Sequence, residues 1–230
     1  DDTAVDGNQG YTIILGVASS SDSNYSGLDP ADVSVSNTDN DAAGITINSP
    51  GDNTTESGGS FTFTAKLNSQ PSSDVTIAIS SSDTSEGSAS RSSLTFTSSN
   101  WGTEQYILIS GVDDYLDDGN QNYTVTIGAA SSSDSNYYGT DPDDLSVTNI
   151  DDDTAGFTVT TISGVTTEYG TTATFTVKLS SQPTANVTIA VSSSNTAEGT
   201  VSPSTLTFTS SNWSTEQTVT VTGVNDGSAD

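Results

Sequence analysis

The sequence predicts an all-β protein built from tandem β-sandwiches, and three observations carry that expectation. A shift of 112 residues aligns the chain with itself without gaps. Its apolar residues fall in short runs that alternate with Thr and Ser, the period of a half-buried strand. Clusters of Gly, Pro, Asn and Ser separate these runs at spacings too short for helices.

The repeat is read first, because an overlooked repeat miscounts the domains. The shift places DGNQGYTIILGVASSSDSNYSGLDP (6–30) on DGNQNYTVTIGAASSSDSNYYGTDP (118–142), and LTFTSSNWGTEQ (94–105) on LTFTSSNWSTEQ (206–217). The chain therefore divides into residues 1–41, the C-terminal part of one repeat; 42–153, a complete repeat; and 154–230, the N-terminal part of the next. Two arrangements follow. The preferred one is a stretch of a longer continuous array. In the other, residues 154–230 of one chain and 1–41 of a second complete a sandwich head to tail.

Within 42–153, alternation predicts seven strands, over 44–48, 59–67, 74–80, 93–97, 104–110, 122–129 and 144–150. The inward slots hold Ile45, Ile47, Phe61, Phe63, Ala65, Leu67, Val75, Ile77, Ile79, Leu94, Phe96, Ile107, Ile109, Tyr123, Val125, Ile127, Leu145 and Val147, enough apolar volume for one sandwich core. Seven such strands in about 110 residues match an immunoglobulin-like sandwich. Tyr123, near the start of the sixth strand, resembles a tyrosine corner.

Composition narrows the chemistry. The chain has no Cys, Met or His, which removes disulfides, thiolate or imidazole catalysis and the usual zinc ligands. Thirty acidic against three basic residues give a formal charge of −27, which repels nucleic acid and anionic membranes and attracts cations. No apolar run approaches a membrane span.

Strand parity then locates the acids. If consecutive strands run antiparallel, the loops alternate between two poles. Glu56, Asp83 with Glu86, the run Asp113, Asp114, Asp117 and Asp118, and the exit Asp151, Asp152 and Asp153 all fall at one pole. So many carboxylates together repel unless a cation neutralises them. Calcium, which takes six to eight oxygen ligands in flexible geometry, suits an all-oxygen donor set better than magnesium. The alternative is a solvated, salt-adapted surface, but such a surface would spread acids along the outward slots, where Thr and Ser stand.

These residues carry a family resemblance. Glu56-Ser57-Gly58 after the first strand, the Asp113–Asp118 run and the terminal Asp151–Asp153 run make the chain similar to tandem Calx-β domains. The resemblance implies calcium ligands at Glu56, Asp83, Asp113, Asp114, Asp117 or Asp118, Asp151, Asp152 and Asp153, with Glu86 as the alternative to Asp83. Two or more ions per complete joint are expected. Corresponding acids are Glu168, Asp226 and Asp230 in the following repeat, where Asn195 and Asn225 replace Asp83 and Asp113. In the preceding repeat they are Asp1, Asp2, Asp39 and Asp41, with Asn40 for Asp152 and Val5 for Asp117. Ion occupancy is expected to differ from joint to joint.

Other features are weighed against plainer readings. Trp101 and Trp213 suit packing beneath a turn or against a neighbouring repeat better than sugar stacking. Lys66 and Lys178 face outward, against an isopeptide crosslink. Asp134, Asp141, Asp143 and Asp144 either lend a ligand across the joint or form a solvated loop. No catalytic constellation is present, so no enzyme is expected. The expected function is a structural repeat of a stalk, adhesin or filament on a bacterial surface, outside the cell, with calcium stiffening its joints. The competing functions are a ligand- or glycan-binding adhesion module and a calcium-sensing domain.

Overall fold

The structure, a computed structural model, describes residues 2–49, 51 and 53–227, and its regular elements are all β-strands. Asp1 and Asp230, two of the expected ligands, lie outside the described residues.

Residues 42–153 contribute ten strands: β3 (Ile45–Asn48), β4 (Asn53–Thr55), β5 (Ser60–Leu67), β6 (Val75–Ser81), β7 (Gly87–Ala89), β8 (Ser93–Phe96), β9 (Gln105–Gly111), β10 (Gln121–Ile127), β11 (Ser131–Ser132) and β12 (Leu145–Ile150). One sheet has the order β3-β5-β9-β7 and the other β11-β6-β10-β12-β4, with β8 also paired to β6. The alternation sets the register. Phe63 of β5 stands opposite Ile107 of β9, and Tyr123 of β10 opposite Val147 of β12. The inward side chains interdigitate into one core containing Phe63, Ile77, Phe96, Ile107, Val125 and Ile127. Full burial of each such side chain stabilises the fold by about 1.5–3 kcal/mol. Of the predicted inward residues, Ile45, Ile47, Phe61 and Leu145 are half-buried and pack on the rim of that core.

The structure adds three short strands, β4, β7 and β11. Asn53-Thr54-Thr55 and Gly87-Ser88-Ala89 have no apolar alternation, because they lie at sheet edges and are held by partners instead. The core also gains Ala130 and Tyr137. The Tyr137 hydroxyl donates to the Ser69 carbonyl oxygen (2.7 Å) and accepts from the Ser69 N–H (3.1 Å), fastening the long β10–β12 connection to the β5–β6 turn.

On the N-terminal side, β1 (Gln9–Ile13) and β2 (Val33–Asn37) form an antiparallel hairpin. On the C-terminal side, β13 (Phe157–Val159), β14 (Thr172–Leu179), β18 (Gln217–Gly223) and β16 (Gly199–Ser202) form one sheet, and β15 (Val187–Ala190) pairs with β17 (Thr205–Phe208) in another. Their core is smaller, built on Val177, Leu179, Leu206, Phe208 and Val219.

Adjacent units touch through the same backbone bond 112 residues apart. The Thr3 carbonyl accepts from Gln70 N–H (2.7 Å), and the Tyr115 carbonyl accepts from Gln182 N–H (2.8 Å). Trp101 and Trp213 each pack against the core of their own unit, and the Trp213 ring also meets Tyr115. Asp134 neither reaches across a joint nor sits in solvent. It is buried and accepts from the N–H groups of Ser72 (2.8 Å) and Asn136 (2.9 Å). Burial pushes its carboxyl up, but these bonds outweigh that and hold it below the usual range.

Candidate metal centre

Parallel pairing of β4 with β12 builds the centre. Thr55 lies opposite Ile150, and Glu56 N–H continues the ladder onto the Ile150 carbonyl (3.0 Å), so Glu56 emerges beside the strand exit at Asp151–Asp153. Gly58 turns the chain back with φ +95°, a conformation that glycine adopts without Cβ strain. From the other sheet, β9 ends at Gly111, whose α-carbon sits so close to the Thr55 carbonyl and the Asn149 side chain that a Cβ has no room. That close approach carries the Asp113–Asp118 loop to the same pole.

Two groups of carboxylates result. In each, one oxygen per residue lies within 4.8 Å of the others: Glu56, Asp114 and Asp153 form the first, and Glu86, Asp114 and Asp118 the second. Asp114 belongs to both. Glu56 is 3% exposed, and neither carboxylate oxygen has a hydrogen-bond partner. Burial, followed by the charges of Asp114, Asp151, Glu86 and Asp118, pushes its pKa up to about 7. A buried carboxylate so placed is costly unless a proton or a cation neutralises it.

Glu86 is also buried. Burial raises its pKa, the Asn149 amide opposes that by donating to Oε2 (3.3 Å), and Asp118, Asp114 and Asp83 raise it further. Asp153 is raised by burial and then by Asp113, Asp151, Asp152 and Asp114.

Beneath the carboxylates runs a buried polar chain. Asn149 donates to the Val112 carbonyl (3.0 Å) and accepts from the Thr54 hydroxyl (2.9 Å), which also lies 3.2 Å from the Tyr123 hydroxyl. This chain ties Glu86 to both sheets. Asn149 was missed, although its signal is in the sequence: it takes the inward slot after Leu145 and Val147, where a polar residue needs partners. Thr54 was missed too, since nothing in its own segment marks it as buried.

The chain is similar to calcium binding domain CBD12 of CALX1.1. That likeness has 16% identity, covers 78% of this chain and 76% of the other, and has a TM-score of 0.36. CBD12 from CALX1.2 gives 16%, 74%, 72% and 0.35 for the same measures. WR4, a C. elegans MSP family member, gives 13%, 46%, 96% and 0.31. No family model and no curated protein matches the chain. At these identities and TM-scores no site residue is transferred from them.

The remaining expected ligands sit as follows. Asp83 is exposed and turns its carboxylate onto the Ser85 N–H and hydroxyl, bonds that lower its pKa. Asp113 and Asp152 are exposed and act on Asp153 by charge. Asp117 accepts from the Ala155 N–H (2.7 Å), reaching the following segment. Asp151 is a brace. One oxygen accepts from Asp153 N–H (2.7 Å) and the other from Gly119 N–H (2.7 Å), joining the two acidic loops.

The N-terminal unit repeats that brace. Asp39 accepts from Asp41 N–H (2.9 Å) and Gly7 N–H (2.7 Å), which lowers its pKa, and Asp2 accepts from Ala4 N–H (3.0 Å). Asp2, Asp39 and Asp41 join no carboxylate group among the described residues, and neither do Glu168 and Asp226, which are exposed.

Proposed function

We propose that this chain is a calcium-stiffened structural repeat of an extracellular stalk or filament on a bacterial surface. The observation that carries this reading is Glu56: nearly fully buried, without a hydrogen bond on either oxygen, and facing four further acids. Such a group takes a cation readily. An all-carboxylate, all-oxygen donor set fits calcium, with Glu56, Asp114 and Asp153 holding one ion, Glu86, Asp114 and Asp118 a second, and Asp114 between them. The ions would supply charge neutralisation only, and the chain is read as having no enzymatic activity.

Stiffening follows from where the ligand loops lead. The Asp113–Asp118 loop gives its Tyr115 carbonyl to Gln182 and its Asp117 carboxylate to Ala155. Pinning that loop to Glu56 and Glu86 therefore fixes the next unit. In calcium-rich surroundings affinities near 10⁻⁴ to 10⁻³ M, roughly those of extracellular modules, suffice.

The test is a thermal melt of the 230-residue chain with calcium, with magnesium and with chelator. Calcium should raise the midpoint well above the other two conditions, and Glu56→Gln should reduce the difference markedly. Equal midpoints would overturn the proposal, and equal stabilisation by sodium chloride would mark a salt-adapted surface instead.

A further inference from the structure

The complete sandwich has an open side. β3 stands at the end of its sheet and pairs only with β5 among the described residues, so its other edge is free. In the facing sheet, β4 covers β12 only over Thr148–Ile150 and leaves the stretch from Leu145 to Val147 without a second neighbour. Between these edges lies a groove of about 450 Å³. It is lined by Ile45, Ile47 and Leu145, half-buried at the rim of the core, and by Pro142 between the exposed Asp141 and Asp143. Apart from its shortness, β3 lacks the usual guards of an edge: Ile45-Thr46-Ile47-Asn48 has no charge and no proline.

The groove is a property of the repeat. Residues 42–153 supply both sheets of one sandwich, and the groove persists with all of their strands in place. A whole preceding repeat does not cover this position either. Phe157 and Val159, which take the places of Ile45 and Ile47, follow the complete sandwich and are each 59% exposed. The chemistry recurs along the chain as well: Asp29, Pro30 and Val33 correspond to Asp141, Pro142 and Leu145, with Ala31 for Asp143.

We infer that this groove takes an extended, basic segment of another protein, which adds as a strand to the free edge of β3. Main-chain hydrogen bonds extend the sheet, and alternate side chains of the added strand face the same way as Ile45 and Ile47, toward Leu145. The occupant therefore carries an apolar residue at every second position. Charge complementarity sets the rest: the charged residues of the groove are both acidic, on a chain of formal charge −27, and draw a partner rich in Lys or Arg. A second copy does not fit. Its three basic residues are Lys66 and Lys178, in strands β5 and β14 already paired on both sides, and Arg91, in the turn between β7 and β8. Recurrence of the groove from repeat to repeat gives such a partner several grips at once.

The test uses the 230-residue chain in saturating calcium and two short fluorescent peptides of equal charge, one alternating Val with Lys and the other Ser with Lys. Fluorescence anisotropy should show the Val/Lys peptide binding about tenfold more tightly, the share that the apolar lining contributes. Hydrogen exchange should show that this peptide protects the amides of β3. The double variant Asp141→Asn/Asp143→Asn changes two exposed side chains, so it should melt like the parent chain and bind the Val/Lys peptide about tenfold more weakly. Equal binding of the two peptides, protection that leaves β3 out, or an unchanged affinity in the double variant would each overturn the inference. So would multimers of the chain alone that the Val/Lys peptide disperses, which would make a second copy the occupant.

Discussion

The ring of Tyr115 lies 5.9 Å from that of Trp213, with the planes tilted by 43°. Tyr115 is also the one non-glycine residue with positive φ (72°) among those described. Left-handed backbone at such a residue costs about 1–3 kcal/mol and persists only where surroundings hold it. Here the holding contacts are the Trp213 ring and the bond from Gln182 to the Tyr115 carbonyl. Tyr115→Ala keeps the backbone cost and loses the ring pair, worth about 0.5–1.5 kcal/mol. The joint should loosen. In a Trp101→Phe background, Trp213 emission should shift to the red and small-angle scattering should show a broader distribution of lengths.

The pH dependence of the calcium-free chain follows from Glu56. Its carboxyl holds a proton to about pH 7 when folded, against an ordinary value of 4.5. The Glu56 contribution should be flat below 4.5, fall as pH rises from 4.5 to 7 while only the unfolded chain ionises, and level off above 7. The loss from Glu56 is on the order of 3 kcal/mol. Glu86 and Asp153, also raised, add in the same direction. Urea unfolding across this range in chelator checks the trend, which saturating calcium should suppress.

Removal of the buried charge separates its two effects. Glu56→Gln should stabilise the chelator-treated chain at pH 8, because the buried, unpartnered charge is gone, yet it should lose the part of the calcium stabilisation that comes from the ion held with Asp114 and Asp153. Calorimetry with and without calcium reads both.

The second carboxylate group predicts a contrast between neighbours. Glu86→Gln should weaken calcium binding measured by isothermal titration. Asp83→Asn should leave it nearly unchanged, because that carboxylate is turned onto Ser85.

Asn149→Ala strips the donor from Glu86 and Val112 and the acceptor from Thr54. Leaving such buried groups unpaired costs about 1–3 kcal/mol each. Urea unfolding should show a loss of at least that size, and calcium binding should weaken as Glu86 loses its orienting donor.

Alternation of Thr with Phe, Ile and Val determined from sequence that the chain is all-β, because a period of two places every second side chain on one face whatever the partner. It also determined which residues enter the core: Phe63, Ile77, Phe96 and Ile107 are buried as their slots require. Strand parity was enough to send Glu56, Glu86, Asp114, Asp118 and Asp153 to one pole. Tertiary structure alone decided which acids meet there. Parallel addition of β4 to β12 brings Glu56 against Asp153, and the Asn149–Thr54–Tyr123 chain aims Glu86 inward while Asp83, three residues earlier, faces solvent. Asp83 and Glu86 are chemically alike, and their segment has no periodicity to tell them apart. The difference lies in the neighbours that folding supplies, and those come from strands distant in sequence.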